Sequence, residues 1–448
     1  MPRKRKTEPV EQPQEGVQEP AFMQPRTIPK ADTDVLTESL KARFGGEGVV
    51  IQSAAELETR YDLRRRCGIP SLDIACGGGL PAGGLSQIDG PEGVGKNFLL
   101  NCYFAQAQQI YQEDFRAVML CLEFTFDKWY ARACGFQVAL SNYEIDVEQR
   151  RRYKVGEPLL DEEEVAELGV SPGKFYVLRG PEAEKLLDST VEYIRSNTMQ
   201  IIGVDSWDSM LTSDENEKDL EDNARVANAS NVQTRWMKKV QGALAPRKRC
   251  PECYSYPVEH KRGSGGSYRY TCTECEWKGK QPYNEENETT IIGIRQVRAN
   301  MKGGLYAREY KVGGAWALKH GKLIDVQLRP GEIKWDKGRT VKLAKEIVWE
   351  LMKGKAGTHE GKKGAYWYYL NPPAVDFCSD LINWCKQNGV LEYVGKKWVL
   401  HHHGMLNGDV AFTSKEALQG GVEEDPELQK VLWQLMLRAA DMNHVRYK

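Results

Sequence analysis

The sequence of 448 residues lacks any apolar stretch approaching the ~18 residues of a membrane-spanning helix, so no membrane partner is expected. It also lacks a charge excess, because 62 Lys and Arg stand against 63 Asp and Glu, for a net charge of −1. Any nucleic-acid contact must therefore be a local basic patch. No apolar signal segment follows the basic start of the chain, and eleven cysteines without an export signal indicate a reducing, cytoplasmic compartment.

One run of residues has the spacing of a phosphate-binding loop: Gly90, Pro91, Glu92, Gly93, Val94, Gly95, Lys96 and Asn97. This phosphate loop follows a strand-like segment and opens an apolar helix, which is the context that the motif requires. Its glycines let backbone N–H groups surround phosphate oxygens, and Lys96 would reach the β- and γ-phosphates. The motif usually ends in Ser or Thr, whose hydroxyl binds Mg²⁺. Because Asn97 stands there instead, we predict nucleotide binding with slow or metal-selective hydrolysis.

Three further polar residues follow apolar, strand-like segments. Asp205 ends the segment 201–205 and would hold Mg²⁺ through water. Glu123 follows 118–122 and could orient and deprotonate an attacking water. Gln296 follows 291–294 and could sense the γ-phosphate through its amide. Each could instead be an ordinary capping or solvated side chain.

The pattern between residues 65 and 335 alternates short apolar strands with longer helical runs, which is typical of an α/β fold with a mainly parallel sheet. The candidate strands are 85–88, 117–122, 175–178, 201–204, 290–294 and 323–327. Two insertions interrupt the pattern, at 138–172 and at 246–285. We expect a disordered tail at 1–32, a region at 33–64 whose short helix could dock on the core or on a neighbouring subunit, and a small α+β C-terminal domain at 336–448. The C-terminal domain should close with a helix that has Asp425 as N-cap and Pro426 in its first turn.

The second insertion carries two Cys-x₂-Cys pairs, formed by Cys250, Cys253, Cys272 and Cys275. Four thiolates at this spacing predict a structural, tetrahedral Zn²⁺ site, with an iron–sulfur cluster or four unrelated thiols as alternatives. The resulting ribbon joins a helix ending near Ala245 to the strand at 290–294. Since ligands of parallel sheets bind at the carboxyl ends of the strands, the ribbon should project from the opposite edge. Its basic and aromatic residues suggest duplex capture or docking of a protein partner.

Taken together, these motifs resemble the bacterial RecA recombinase family. The resemblance covers roughly residues 33–440 apart from the insertions. It is carried, in the family's order, by 69–75, 77–83, the phosphate loop, Glu123, Asp127, 130–132, Asp205 with Ser206, 296–298, 313–314 and 317–319. The helix at 36–44 is similar to the family's polymerisation helix, and the C-terminal region to its small C-terminal domain.

The resemblance implies an ATP- and Mg²⁺-dependent helical filament on single-stranded DNA, which pairs that strand with homologous duplex DNA in a bacterial cell or nucleoid. Lys96 would bind phosphate, and Asp205 would hold the metal. Glu123 would activate water, and Gln296 would signal to DNA. The loop 297–312 would bind DNA through Arg298, Lys302, Tyr306, Arg308, Tyr310 and Lys311. Arg225 lies in a second, unusually acidic loop at 213–225. Lys342 and Lys345 resemble lysines that reach a neighbour's ATP.

Two other functions remain open from the sequence. A ring motor of the RadA type also joins zinc knuckles to this core, although its knuckles precede the core. An ATP-gated DNA-binding scaffold would explain Asn97 as a mark of lost turnover. The helix at 36–44 and the C-terminal region favour a filament former.

Overall fold

The computed structural model describes residues 37–40, 62–123, 125–217, 228–253, 258–262, 268–279, 283–299, 310–311, 316–358, 360–401, 410–442 and 445–447. The chain divides into two compact units. One comprises 1–56 and 248–283, and the other 57–247 and 284–448. Residues 37–40 are helical, and the rest of the predicted helix at 36–44 lies outside the described residues.

The strands are β1 (Arg64–Arg65), β2 (Leu80–Pro81), β3 (Gly84–Gly90), β4 (Arg116–Cys121), β5 (Lys174–Leu178), β6 (Ile201–Asp205), β7 (Arg247–Arg249), β8 (Val258–Arg262), β9 (Tyr268–Cys272), β10 (Lys278–Gly279), β11 (Tyr283–Glu285), β12 (Thr290–Gln296), β13 (Arg298–Ala299), β14 (Tyr310–Lys311), β15 (Ile324–Trp335), β16 (Lys342–Gly354), β17 (Lys363–Leu370), β18 (Pro373–Val375), β19 (Leu391–Val394), β20 (Lys397–Leu400) and β21 (Val410–Phe412).

The helices are α1 (Pro70–Ala75), α2 (Lys96–Tyr111), α3 (Lys128–Ala133), α4 (Asn142–Val155), α5 (Glu162–Leu168), α6 (Ala183–Ser196), α7 (Ser213–Asn216), α8 (Asn228–Ala243), α9 (Trp316–Gly321), α10 (Phe377–Gln387), α11 (Lys415–Glu424) and α12 (Pro426–Ala439). Single 3₁₀ turns cover Gln112–Asp114 and Trp207–Ser209. In the described part of the chain, no helix combines the length and the apolar composition that a bilayer-spanning segment requires.

Among the described residues, nine strands form one sheet in the order β18-β17-β16-β15-β3-β12-β6-β4-β5. The six strands from β15 to β5 are parallel. Strands β16, β17 and β18 extend the sheet in antiparallel fashion. The predicted α/β class with a large, mostly parallel sheet is confirmed. The sheet continues through Val375, beyond residue 335, where the sequence pattern placed the end of the core.

Apolar side chains cover both faces of this sheet. Helix α2 packs on one face through Phe98, Leu99, Tyr103 and Phe104, among other buried residues. Helices α6 and α8 cover the other face, where Trp236 is among the buried side chains. The sheet is therefore buried between helices, which explains why its parallel strands read in the sequence as short, continuous apolar runs.

The first insertion, 138–172, folds as two helices with a small core of its own. Leu140, Ile145 and Leu160 are buried together. Reciprocal capping boxes start both helices, with Ser141 and Glu144 at α4 and with Asp161 and Glu164 at α5.

The C-terminal helices α10, α11 and α12 share a separate apolar core that includes Leu381, Leu418 and Leu432. Helix α12 begins as the sequence predicts. The Asp425 carboxylate accepts hydrogen bonds from the backbone N–H groups of Glu427 and Leu428, and Pro426 occupies the first turn.

One close packing contact in the central sheet gives a stability test. A Cβ on Gly293 of β12 would lie 2.1 Å from Nε1 of the buried Trp207. Gly293→Ala should therefore lower the free energy of unfolding by about 1–3 kcal/mol, because the indole must move within a packed core. The measurement is the midpoint of urea unfolding.

Gly242→Ala is the matched control, since a Cβ at that position in α8 meets nothing within 4 Å. It should leave stability unchanged or raise it by up to ~1 kcal/mol, because alanine favours a helix. Equal midpoints for the two variants would contradict the packing argument.

Candidate functional site

The phosphate loop lies between β3 and α2. Gly93 and Gly95 have φ angles of 68° and 99°, a region that L side chains rarely adopt, so glycine is favoured at both positions. Gly95 is the N-cap of the 16-residue helix α2, and no side chain caps the helix. The first N–H groups of α2 are therefore not occupied by a capping side chain, and this is the arrangement that binds phosphate.

Lys96 folds back over the loop. Its Nζ donates hydrogen bonds to the carbonyl oxygens of Gly90 (2.9 Å) and Pro91 (2.7 Å). Burial lowers the pKa of the ammonium group, and the carboxylates of Asp205 and Glu123 act in the opposite direction. A partly buried cation at the start of α2 is suited to binding an incoming phosphate.

Asn97 and Asp205 contact each other directly. The Asn97 amide Nδ2 donates to Asp205 Oδ2 over 3.0 Å. Burial, followed by the charge of Glu123, raises the pKa of Asp205 to about 6, while Asn97 and Lys96 lower it. A carboxylate and the amide oxygen of Asn97 are hard oxygen ligands of the kind that Mg²⁺ prefers. The donor set thus fits Mg²⁺, with an amide in the place of the usual hydroxyl.

Glu123 follows β4, beside the end of β6. Its Oε1 accepts hydrogen bonds from the hydroxyl groups of Ser206 (2.5 Å) and Ser209 (2.8 Å). Gln296 ends β12, opposite Gly90 of β3. The backbone N–H of Gln296 donates to Asp208 Oδ2 over 2.8 Å. Both predicted polar residues thus reach the same edge of the sheet as the phosphate loop.

These groups line one cavity of about 650 Å³. Its wall contains Lys96, Asn97, Glu123, Asp205 and Gln296, together with residues for which no role in nucleotide binding is predicted from the motifs. Tyr130 of α3 and Tyr368 of β17 line the cavity, and their hydroxyl groups lie 3.0 Å apart. The Tyr368 ring also contacts Phe98, with ring centroids 4.4 Å apart. Aromatic side chains at this position could stack on a nucleobase.

The two lysines proposed to act between subunits lie in different environments. Lys345 of β16 is half-buried, donates a hydrogen bond to the carbonyl oxygen of Gly93 in its own chain, and lines the cavity. Burial lowers the pKa of Lys345. The Lys342 ammonium lies 5.4 Å from the centroid of the Trp335 ring, and Lys342 is not among the residues that line the cavity. Their action toward a neighbouring chain stays a prediction.

Much of the predicted DNA-binding loop lies outside the described residues, including Lys302, Tyr306 and Arg308. Its two ends pair as antiparallel strands, with Arg298 opposite Lys311 and Ala299 opposite Tyr310. Arg225 also lies outside the described residues. In the second loop, residues 213–216 form the short helix α7.

The four predicted cysteine ligands come together in the smaller unit. Their Sγ atoms all lie within 4.8 Å of one another. The distance is 3.6 Å between Cys250 and Cys275, and 3.4 Å between Cys253 and Cys272. A tetrahedral zinc site with Zn–S bonds of 2.3 Å places its sulfurs about 3.8 Å apart, so this cluster fits the ion. Strands β8, β9 and β10 form a three-stranded antiparallel sheet in this unit.

Comparison with known proteins points to the same family as the motifs. No family model matches the chain. It is 22% identical over 279 residues to the Protein RecA of Bacteroides thetaiotaomicron, covering 59% of this chain and 73% of that protein. It is 26% identical to the Protein RecA of Aquifex pyrophilus, over 47% of this chain and 49% of that protein.

A third relative is the mitochondrial DNA repair protein recA homolog of Dictyostelium discoideum, 27% identical over 46% of this chain and 37% of that protein. The chain therefore spans about half or less of the length of the second and third relatives. Over the aligned part its sequence is RecA-like, in agreement with the resemblance carried by the motifs.

Proposed function

We propose that this chain is a DNA-dependent ATPase of recombination and repair, which forms helical filaments on single-stranded DNA and pairs it with homologous duplex DNA. The observation that carries the proposal is the convergence of Lys96, Asn97, Glu123, Asp205 and Gln296 on one cavity. These residues come from four different segments, and only the fold brings them together. The RecA-like sequence of the chain supports the same function.

In this proposal ATP binds with its phosphates in the loop and its base against the aromatic wall that Tyr130 and Tyr368 form. Lys96 leaves the carbonyl groups of Gly90 and Pro91 and binds the β- and γ-phosphates. Asn97 and Asp205 would hold Mg²⁺. The ion, when bound, neutralises charge that develops on the phosphates.

Hydrolysis requires a base close to the γ-phosphate. Glu123 is the carboxylate in position to accept a proton from the attacking water, since it lines the cavity beside Asp205. Gln296 lines the same cavity and directly precedes the loop 297–312. It is therefore placed to report the γ-phosphate to the proposed DNA-binding residues Arg298, Lys302, Tyr306, Arg308 and Lys311, with Arg225 contributing from the second loop.

Filament assembly is proposed to place Lys342 and Lys345 at the nucleotide of the neighbouring copy, and to use the helix at 36–44 as a contact between copies. The contact between Lys345 and Gly93 of its own chain would then be exchanged for a contact to the neighbour's phosphates. The Cys₄ cluster is proposed to hold structural Zn²⁺, and the ribbon around it to contact duplex DNA or a protein partner.

An ATP-gated DNA-binding scaffold is a second candidate. It is favoured by the hydrogen bond between Asn97 and Asp205, because that bond engages the acid that would serve the metal. DNA binding that depends on ATP but occurs without detectable hydrolysis would support this candidate.

Negative-stain electron microscopy on long single-stranded DNA, with Mg²⁺ and a non-hydrolysable ATP analogue, tests filament formation. Extended helical filaments should form with the analogue and be absent without it, because assembly requires nucleotide binding rather than turnover. Lys96→Ala should abolish them. Lys239→Ala, which removes an exposed cation from α8, should leave them intact. Rings, or no ordered assembly of the wild type, would contradict the filament proposal.

A second prediction concerns turnover. Asn97→Thr restores a hydroxyl ligand and removes the donor to Asp205, so the rate of ATP hydrolysis on DNA should rise by about tenfold, equivalent to ~1.4 kcal/mol in the barrier. Asn383→Thr, on an exposed position of α10, is the matched control and should change nothing. If Asn97→Thr is no faster than the wild type at any Mg²⁺ or Mn²⁺ concentration, Asn97 does not limit hydrolysis.

The third prediction concerns the metal. The purified chain should contain about one zinc ion, measured by inductively coupled plasma mass spectrometry, because four thiolates complete the coordination. Cys272→Ser should lose the ion and make the segment 248–283 sensitive to protease, since the metal stabilises a small unit. Cys134→Ser lies outside the cluster and should retain the zinc. Iron in place of zinc, or equal metal content in the two variants, would refute the assignment.

A further inference from the structure

The 3₁₀ turn Trp207–Ser209 begins two residues after Asp205, with Ser206 as its N-cap, and contacts two groups of the candidate site. Ser209 Oγ donates to Glu123 Oε1 over 2.8 Å, and Ser206 Oγ donates to the same oxygen. Asp208 Oδ2 accepts from the backbone N–H of Gln296 over 2.8 Å. Two consecutive residues therefore hold the proposed catalytic carboxylate and the start of the proposed DNA-binding loop.

The buried side chain of Trp207 anchors the turn in the core. Trp207 is 1% exposed and packs against Trp236, with ring centroids 5.0 Å apart. Its indole lies against Gly293 of β12, three residues before Gln296. Gln233 Nε2 donates to the backbone oxygen of Trp207 over 3.2 Å. With this anchor held, a displacement of Asp208 must be accommodated within the turn, and thus at its neighbour Ser209.

Unlike the buried Trp207, Asp208 and Ser209 make their contacts at the surface. Both residues are exposed, so removing either side chain opens no cavity in the core. Each makes one hydrogen bond to another segment: Asp208 to the backbone of Gln296 in β12, and Ser209 to Glu123, two residues after β4. Their contribution to stability should therefore be small, whereas their effect on the relative placement of Glu123 and Gln296 is direct.

We propose that Asp208 and Ser209 are positioning residues that transmit the state of the DNA-binding loop to Glu123. When the loop binds DNA, Gln296 shifts, and Asp208 moves with the backbone N–H group of Gln296. Ser209 moves with its neighbour Asp208 and displaces the carboxylate of Glu123. The same path operates in reverse when nucleotide enters the cavity. This inference rests on the proposed function, because it requires that the chain binds both ATP and DNA.

The test is the coupling factor, defined as the ratio of the dissociation constants for a fluorescent oligo-dT without and with a non-hydrolysable ATP analogue and Mg²⁺. This readout does not require hydrolysis, so Asn97 does not affect its use. Typical coupling factors are about 5–150-fold. Asp208→Ala and Ser209→Ala should each reduce the factor at least about threefold, and the double variant should lose no more than the single ones, because the two residues act in series.

Three controls separate positioning from a structural effect. Asp208→Asn keeps an acceptor oxygen for the Gln296 N–H and should retain most of the coupling. Asp188→Ala removes an exposed carboxylate of α6 that pairs with Lys239, and should behave as the wild type. The affinity for the ATP analogue alone and the thermal midpoint should be unchanged in every variant.

The outcomes are distinguishable. A wild type whose DNA affinity does not respond to the analogue refutes ATP-gated DNA binding, and with it the proposed function. A coupled wild type with unchanged factors in Asp208→Ala and Ser209→Ala overturns the inference alone. The inference is also overturned if Asp208→Asn is as defective as Asp208→Ala, or if the variants lose affinity for the analogue itself.

Discussion

The site depends on one geometric constraint, the register of four parallel strands. Because Gly90 of β3 lies opposite Gln296 of β12, and Cys121 of β4 opposite Asp205 of β6, the carboxyl ends of these strands meet at one edge. A slip of one residue would turn every side chain of a strand to the other face. The apolar cover on both faces of the sheet prevents such a slip, so core packing fixes the spacing of the polar groups.

Residues at or shortly after the end of a parallel strand, or at the start of the helix that follows it, could be placed from the sequence, because the end of the strand determines the edge of the sheet at which they lie. This is why Lys96, Glu123, Asp205 and Gln296 were found together in one cavity. Tyr368 and Lys345 were not given a role in their own cavity, since they come from the antiparallel extension, far along the chain. The pairing of β15 with β16 brings Lys345 back to the loop, and the pairing of β16 with β17 then brings Tyr368.

The full extent of the sheet could not be predicted from the sequence either. Strand β16 begins with exposed residues, Lys342 among them. Further on, it alternates between buried and partly buried positions. A half-exposed strand of this kind lacks the continuous apolar run that marks the buried parallel strands, so its sequence suggested a boundary near residue 335. Asp208 and Ser209 show the limit at the level of single residues. Their hydrogen bonds cross between segments, and no local pattern encodes such contacts.

The charges around the cavity have a consequence for how the protein must be handled. Its wall carries the cations Lys96 and Lys345 and the acidic side chains Glu92, Glu123 and Asp205. Cations thus do not outnumber acids, while a nucleotide with its Mg²⁺ ion is still an anion. If the proposed nucleotide binds with Mg²⁺, these side chains and the ligand together carry a net negative charge, whose potential attracts mobile cations. Ionic strength screens that potential over roughly 10 Å at 0.1 M, so salt concentration belongs among the controlled variables of every nucleotide titration.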